Sequence, residues 1–477
     1  MKLTSIEFAC FAGALVALYY RIPGRYQWKL LLAASTLFYL RGGWQTLGYL
    51  AAASGSVFLA AGKMEQNKAS MTRPEARKRN RKWLLLCLGL DLGMLFFCKA
   101  RLLTGKWLLP LGISFYTFQM LGYLIDVYRG KTEGQGDFWK FHLFASWFPL
   151  LVQGPICRYD QLAPQLLGER EFDGRQVSFG FQRMLWGYFK KLVVADRLAP
   201  AVAALRQIDD SGAAFFLLSL LYAVEIYADF TGGIDVVLGF SQALGMELPE
   251  NFDLPFSAKS VAEFWRRWHI TLGEWMKDYI FYPVSVSRPM LRLGRYARQR
   301  WGSWGKRLPV CIATILTWGA TGLWHGLTPN FLVWGMMNCG VILLSQMLPA
   351  RLHLPQGKRW DRFRMVRTFL LMNCIRVCDL FPDPGDYFGR MLARPNMAAL
   401  TGALPLTLAD WGILAFGIAL MCSVSRFQSR GGSVRRWLGR QKQWVRWGML
   451  FGLILLVLLL GRYGVGYEAS NFIYNQF

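Results

Sequence analysis

The sequence predicts an all-α, polytopic membrane protein, and three observations support this fold class. Hydrophobic residues make up 54% of the 477 residues, and apolar segments recur along the chain without a long polar block between them. Charged residues make up only 18%, below the roughly 25% typical of soluble proteins. The 20 tryptophans suit the membrane–water interface, where an amphipathic ring contacts both phases.

The net charge of +26 arises from 55 basic and 29 acidic residues. Such an excess is common in nucleic-acid-binding proteins, but here the basic residues lie in short segments between apolar runs. In that pattern they indicate membrane topology and contact with anionic lipid, so we expect membrane lipid as a partner and no nucleic acid. We interpret four basic segments as cytoplasmic loops: 73–82, 288–307, 351–367 and 426–446.

Several kinds of site are not expected. The nine cysteines are scattered, mostly within apolar runs, and form no Cys-x-x-Cys pair, so we predict no metal site and no disulfide framework. The sequence has no GxxxxGK[ST] loop, HExxH or GxSxG motif. ATP-driven transport, zinc proteolysis and serine-hydrolase chemistry of the usual kinds therefore lack support. No permanently bound cofactor is expected.

The apolar runs give the candidate spans, since a helix of about 20 residues crosses the ~30 Å of hydrocarbon. They are 5–20, 28–40, 44–62, 83–98, 107–127, 141–157, 212–228, 231–247, 309–327, 330–349, 366–380, 399–422 and 446–462. We interpret the first as a span rather than a signal peptide, and some of the shorter ones as re-entrant or interfacial. Segments 181–193, whose polar positions include Lys190 and Lys191, and 261–276 have the spacing of amphipathic helices at the interface.

One histidine lies inside a long uncharged stretch. From Leu308 to Ala350 there is no Asp, Glu, Lys or Arg, and His325 is near the middle. An ionisable group at depth in a membrane is costly, so it usually faces a cavity and has a function. Trp318 and Trp324 could wall a narrow channel beside it. The structural alternative is a histidine that is hydrogen-bonded across helices or set in a turn.

The other three histidines have different surroundings. His269 lies on the tryptophan face of 261–276 and could receive a polar ligand from the cytoplasm; the alternative is an interfacial anchor with a hydrated imidazole. His142 begins a span and could cap it, and His353 lies in a basic loop where we expect it to be solvated.

A carboxylate upstream of these residues could also take part. Asp229, in Tyr-Ala-Asp-Phe-Thr-Gly-Gly-Ile-Asp (227–235), could orient a histidine or pair with Arg266 or Arg267. The alternative is a helix cap or a turn residue beside Thr231.

Five segments occur together in one order. They are Leu-Pro-Leu-Gly-Ile-Ser-Phe-Tyr-Thr-Phe-Gln (109–119), Gln-Gly-Pro-Ile with Arg158 (153–158), Asn-Phe-Asp-Leu-Pro-Phe (251–256), Glu-Phe-Trp-Arg-Arg-Trp-His-Ile-Thr-Leu (263–272) and Leu-Trp-His-Gly (323–326). With them, roughly residues 1–395 resemble the membrane-bound O-acyltransferase family. The resemblance is closest to the bacterial branch that contains the alginate O-acetylation membrane component and the teichoic-acid D-alanylation membrane protein.

The resemblance implies a ring of helices around a tunnel, with re-entrant and interfacial helices and with acyl donor entering from the cytoplasm. It implies that His325 is the catalytic histidine and that His269 matches the second one. The candidate donor- or substrate-binding residues are Arg266, Arg267, Asp229, Asn251, Trp318 and Trp324. We place the acyltransferase core at 1–395, and C-terminal transmembrane helices with an extracytoplasmic tail at 396–477.

The resulting hypothesis is an O-acyltransferase of the bacterial plasma (inner) membrane that O-acetylates an exported or cell-wall polysaccharide. Its donor would be acyl-CoA or an acyl-phosphopantetheine carrier protein. His325 would act as general base, since an imidazole with a pKa near 6.5 suits that role. Expected partners are an extracytoplasmic acyltransferase or a small membrane protein. The alternatives are D-alanyl transfer to teichoic acid and, in another class, a transporter or channel with a gating histidine.

Overall fold

The computed structural model describes residues 2–105, 109–347, 355 and 357–463, with the backbone alone at 303 and 304. Within these ranges the regular structure is helical apart from one isolated antiparallel bridge, Phe252 with Trp268. The all-α prediction is therefore confirmed. Residue contacts divide the chain into two units, 2–188 with 233–249, and 189–232 with 250–463. His353 and nearly all of the predicted tail lie outside the described residues.

The first unit consists of successive helices, followed by the end of a long helix shared with the second unit. They are α1 (Ile6–Tyr19), α2 (Gly24–Leu40), α3 (Trp44–Ser70), α4 (Arg73–Leu103), α5 (Ile113–Arg129), α6 (Phe138–Ser146), α7 (Phe148–Gln153), α8 (Tyr159–Leu167) and α9 (Gly174–Tyr188).

The basic segment 73–82 is the first part of α4, so the loop predicted there is wrong. Thr72 and Glu75 form a capping box and Pro74 occupies the first turn, which starts the helix at Arg73. Arginine and lysine are good helix formers. A run of positive charge therefore indicates a side of the membrane without interrupting the helix that carries it.

The predicted span 141–157 is two short helices. The chain leaves helical geometry at Trp147, and Pro149 opens the next helix, so a single continuous span is wrong here. His142 does not cap a span either. It is buried inside α6, with its Nδ1 2.8 Å from the Ser54 hydroxyl.

The second unit begins with a π-helical turn, Phe189–Ala195, and continues through helices that run to the end of the described chain. They are α10 (Asp196–Arg206), α11 (Gly212–Ala243), α12 (Val261–Arg267), α13 (Ile270–Met276), α14 (Tyr282–Ser285), α15 (Arg288–Gly305), α16 (Leu308–His325), α17 (Pro329–Met347), α18 (Lys358–Arg376), α19 (Pro384–Leu392), α20 (Leu408–Ser429), α21 (Val434–Gly439) and α22 (Gln443–Leu460). The part of α11 from Gly233 onward belongs to the first unit.

Helix α11 is continuous across residues 229–230, where two spans, 212–228 and 231–247, were expected to be separated, and through the Thr-Gly-Gly sequence that follows. Two glycines inside a helix cost about 1 kcal/mol each, which burial of the apolar residues on both sides can outweigh. The Thr231 hydroxyl also donates to the Tyr227 carbonyl within the helix. The basic segment 288–307, expected to be a loop, is mostly helix α15, kinked at Trp301 and Gly302.

Several helices of the described ranges are long and apolar enough to cross a membrane: α4, α11, α17, α20 and α22. Helix α1 is apolar but shorter. These helices confirm the polytopic character predicted from the sequence, while the ring around a tunnel and the domain boundary at residue 395 stay predictions.

Helices α16 and α17 form a hairpin whose backbones approach closely. A Cβ atom on Gly322 would lie 2.6 Å from the carbonyl oxygen of Phe331, and one on Gly335 would lie 2.7 Å from that of Trp318. Such short distances leave room only for glycine. This packing fixes the end of α16, where His325 lies.

Candidate active site

His325 is the last residue of α16, directly before Gly326, where the backbone becomes extended. Its side chain is buried among aromatic rings. The ring centroids of Trp324 and Trp334 each lie 4.9 Å from that of the imidazole, and the Phe331 ring is nearly parallel to it at 6.2 Å. A residue in the middle of an uncharged sequence thus lies at a helix end, where its imidazole is held by packing.

His269 lies at a sharp break between α12 and α13. Its backbone is left-handed, with φ of 49°, so the single interfacial helix predicted over 261–276 is wrong. A residue other than glycine is destabilised by roughly 1 kcal/mol or more in this conformation, so surrounding contacts must hold His269 in it. The imidazole is 2% exposed, which also contradicts the hydrated interfacial anchor.

Asn251, which is 18 residues upstream of His269, stabilises the break between α12 and α13 through hydrogen bonds. Its Oδ1 accepts hydrogen bonds from the Thr271 backbone N–H (3.1 Å) and hydroxyl (3.0 Å), and it lies 3.3 Å from Nδ1 of His269. Because a backbone N–H donates to Oδ1, His269 must carry its proton on Nδ1 to bond to the same oxygen. The neutral ring then presents Nε2 as an acceptor.

The indole of Trp324 connects the two histidines. Its ring centroid lies 6.1 Å from that of His269 and 4.9 Å from that of His325. The structure therefore brings together two of the residues that were singled out separately in the sequence, although 56 positions separate them in the chain.

A second set of tryptophans extends the aromatic wall from α12 to α17. The Trp265 ring lies 5.1 Å from that of Trp318 and 5.4 Å from that of Trp334, and its Nε1 donates to Asn338 Oδ1 at 2.9 Å. Trp334 also contacts His325. Trp318 is thus connected to His325 through the rings of Trp265 and Trp334, and its role as the wall of a channel stays a prediction.

The two candidate arginines of α12 have different surroundings. Arg266 is exposed, whereas Arg267 forms an ion pair with Glu263 at 2.8 Å and donates to the Ser257 hydroxyl at 2.8 Å. The Arg267 guanidinium therefore supports the local structure of the unit.

Asp229 lies inside α11 and is neither a cap nor a turn residue. Its carboxylate is 2.5 Å from Nζ of Lys191, which is also 2.8 Å from Asp196. All three side chains are buried. The amphipathic surface helix predicted over 181–193 is therefore wrong at Lys190 and Lys191, which are buried rather than solvated. Asp229 pairs with a lysine of the π-helical turn, and the proposed pairing with Arg266 or Arg267 is not what the structure shows.

No group of three or more His, Cys, Asp or Glu side chains arranged to hold a metal ion occurs in the part of the chain that the structure describes. The arrangement offers instead two buried imidazoles in an aromatic, largely water-excluding environment. Such a site can transfer a proton to or from a bound neutral substrate.

Comparison with known proteins identifies the family. The sequence model of the MBOAT, membrane-bound O-acyltransferase family, matches residues 137–298. Over 428 residues the chain is 31% identical to the probable alginate O-acetylase AlgI of Pseudomonas putida, which covers 83% of each chain. The chain belongs to the membrane-bound O-acyltransferase family. It is an acyltransferase enzyme with several membrane-spanning helices, and the resemblance read from the five segments is confirmed.

Two further relatives bear on the substrate. The peptidoglycan O-acetyltransferase of Helicobacter pylori is 29% identical over 421 residues, 78% of this chain and 74% of that protein. The teichoic acid D-alanyltransferase of Bacillus subtilis is 27% identical over 238 residues, 48% of this chain and 56% of that protein. Among several probable alginate O-acetylases the match spans between 62% and 83% of the relative's own length.

Two residues close to the candidate histidines or their tryptophans were not singled out from the sequence. Trp334 contacts His325 but was one tryptophan among many. Arg376 is buried, with its guanidinium 4.4 Å from the ring of Trp268. The rule that singled out His325, an ionisable group within an uncharged run, isolates Arg376 less clearly, because the predicted span 366–380 also contains Arg367 and Asp379.

The environment of His269 predicts a pH dependence of stability. Burial, together with the nearby charge of Arg376, lowers the pKa of His269 from 6.5 to about 3. In the unfolded chain the imidazole of His269 is protonated below about pH 6.5, whereas in the folded chain it stays neutral down to about pH 3. The free energy of unfolding should therefore fall as the pH drops through this range, by up to about 1.4 kcal/mol per pH unit from this group.

His269→Gln removes the titrating group and should flatten that dependence. Unfolding midpoints of both proteins in detergent, measured between pH 7.5 and 4.5, check the prediction. The same slope in both proteins would show that His269 does not titrate in this way.

Proposed function

We propose that this protein O-acetylates a hydroxyl of an exported or cell-wall polysaccharide in the bacterial inner membrane, with acetyl drawn from a cytoplasmic thioester. The observation that carries the chemistry is the pair of buried histidines that share Trp324. The acetyl group is favoured because relatives named as O-acetylases match along most of the chain, whereas the D-alanyltransferase relative matches 48% of it.

In the proposed reaction the acceptor hydroxyl attacks the thioester carbonyl carbon while His325 takes the hydroxyl proton. The C–S bond then breaks, the ester forms, and the departing thiolate takes a proton, so that the histidine is neutral again. His325 lies at a helix end beside two indoles, where a bound thioester would be shielded from water. Shielding matters because water would otherwise compete with the acceptor hydroxyl.

His269 has a different part in this proposal. A base whose pKa is about 3 is too weak to take a proton from a hydroxyl near neutral pH. Its Nε2, an acceptor in the tautomer that Asn251 requires, would instead accept a hydrogen bond from a donor N–H or from the acceptor hydroxyl. His269 and Asn251 would then orient a substrate for attack at His325.

The donor in this proposal is acetyl-CoA or an acyl-phosphopantetheine carrier protein, and exposed Arg266 would contact its phosphates. A polymer outside the membrane also requires that the acetyl group move onward. We therefore propose that an extracytoplasmic acyltransferase or a small membrane protein cooperates with this chain.

The acyl group is tested by chemical release. We expect cells that produce the protein to carry ester-linked acetate on an envelope polysaccharide, and cells without it to lack that acetate. Mild base hydrolysis of the purified polymer, with quantification of acetate and D-alanine in the released fraction, measures both groups. Release of D-alanine in place of acetate would overturn the proposal in favour of D-alanyl transfer.

A further inference from the structure

Arg376, the last residue of α18, lies against the tryptophans of the site. Its guanidinium carbon is 4.4 Å from the ring centroid of Trp268, the neighbour of His269, and 5.5 Å from that of Trp265. Trp265 in turn packs against Trp334, which contacts the catalytic candidate at the end of α16. One buried cation therefore lies against Trp268, the chain neighbour of His269, and is connected to His325 through two indoles, those of Trp265 and Trp334.

The hydrogen-bonding capacity of this guanidinium is unused by the protein. Within the described residues, Arg376 makes no side-chain hydrogen bond and no ion pair within 4.0 Å, and one terminal nitrogen is completely buried. Asp379, three residues on, lies beyond ion-pairing distance, although its carboxyl senses the Arg376 charge: burial raises the pKa of Asp379 to about 7, and Arg376 opposes that rise. A buried guanidinium has five N–H donors, and leaving them without acceptors is costly. Stacking on indole offsets only part of that cost.

Arg390, in the same unit, is an arginine whose guanidinium has hydrogen-bond and ion-pair partners within the protein. Its guanidinium also lies over an aromatic ring, Phe381 at 4.8 Å. It forms ion pairs with Asp386 and Asp209, and donates to the carbonyls of Arg206 and Ile208. Arg376 has the same kind of stack without any of these partners, so packing alone does not account for it.

Other polar groups near Arg376 also lack partners in the described structure. On the buried side of α18, the Thr368 hydroxyl and Asn373 Nδ2 make no hydrogen bond. With a rise of 1.5 Å per residue, this polar row spans about 12 Å. Nδ2 of Asn251 and Nε1 of Trp268 are unpaired as well. These atoms along α18 and beside Trp268 are mostly donors, so a ligand bound there would supply acceptors; two buried carboxylate oxygens, Asp379 Oδ1 and Glu225 Oε2, also make no hydrogen bond in the described structure.

We propose that Arg376, with Asn373 and Thr368, binds a substrate of the acyl transfer through its carbonyl or anionic oxygens. The inference rests on the proposed function. Oxygens of this chemistry occur in two substrates: the amides and phosphate of a pantetheine arm, and the carboxylates of an acidic polysaccharide. Helix α18 packs against α12 and α17, which carry residues of the site, so a ligand along its polar row would lie beside the histidines.

The test uses membranes that contain the full-length protein, with acetyl-CoA as donor and a polyuronate oligosaccharide as acceptor. Arg376→Met is expected to raise KM for one of the two at least about tenfold, the loss expected for a hydrogen bond to a charged group. Arg376→Lys should recover part of that loss. Arg390→Met is the matched control and should leave both KM values unchanged.

A rise in KM for acetyl-CoA assigns the row to the donor, and a rise for the oligosaccharide assigns it to the acceptor. Unchanged KM values in a folded Arg376→Met protein would overturn the inference. If Arg376→Met fails to fold, the KM values of Asn373→Leu and Thr368→Val test the inference instead, with the same outcomes. If wild-type protein transfers no acetyl group even in membranes of its own cells, which also contain the proposed partner, the proposed function is contradicted instead. Calorimetric binding of the two probes to wild type and Arg376→Met then decides the inference alone.

Discussion

His325→Ala is expected to lower the rate of acyl transfer by about 10²- to 10⁴-fold, the usual contribution of a general base. The residue is buried at the end of α16, and its ring is fixed by two indoles and the Phe331 ring. The other histidine of the site, His269, has a pKa of about 3 and could not replace it as a base near neutral pH. The ester content of the envelope polymer, normalised to the amount of protein in the membrane, measures the loss.

The matched pair is His325→Gln and His142→Gln. Glutamine keeps a polar side chain of similar reach but cannot take a proton. Both histidines are buried, and His142 lies in the first unit with its Nδ1 at hydrogen-bonding distance from Ser54. Transfer should be lost in the first variant and kept in the second. Equal activity of the two proteins at equal abundance would remove His325 from the mechanism.

The sequence was sufficient to find His325, because one physical rule isolates it. Ionisable side chains are rare in uncharged membrane segments, and the stretch from Leu308 to Ala350 contains no other charged residue. The same rule was not applied to Arg376, since that residue lies near charged neighbours on α18. The rule is local, so it could be applied without knowledge of the fold.

The break at His269 could not be predicted in the same way. No glycine or proline lies between Val261 and Leu272, and the tryptophans follow helical spacing, so the local signals around His269 predict a continuous helix. What bends the chain is Asn251, which bonds to Thr271 from 20 residues away. A conformation imposed by a distant side chain overrides local preference and becomes visible only in the structure.

The burial of Lys191 was hidden for a related reason. A lysine beside an apolar face is usually solvated, and its partner Asp229 lies 38 residues away, in a segment that reads as a turn. Sequence patterns report which residues share a face, but they do not report what covers that face. The ion pair depends on tertiary packing between the π-helical turn and α11.

Lys191→Met should therefore be the most destabilising of the single substitutions considered, by about 3–5 kcal/mol in the free energy of unfolding. The lysine side chain is 1% exposed and lies between Asp229 and Asp196. Burial alone would lower the pKa of Lys191, but the two carboxylates outweigh burial and raise it, so the charge is kept. Removing the lysine takes away the positive charge that lies between two buried carboxylates.

The variants separate the charge from the packing. Asp229→Asn should lower the free energy of unfolding by less than Lys191→Met does, because Lys191 still pairs with Asp196. The triple variant, which combines Lys191→Met with Asp229→Asn and Asp196→Asn, should recover much of the stability that Lys191→Met loses. Arg41→Met, which removes the pair of Arg41 with Glu7, is the control; both partners are more than half exposed, so little change is expected. Unfolding in detergent with increasing sodium dodecyl sulfate measures all four proteins. If Lys191→Met loses no more stability than Arg41→Met, the buried charges are dispensable, and α11 is held to the π-helical turn by apolar packing alone.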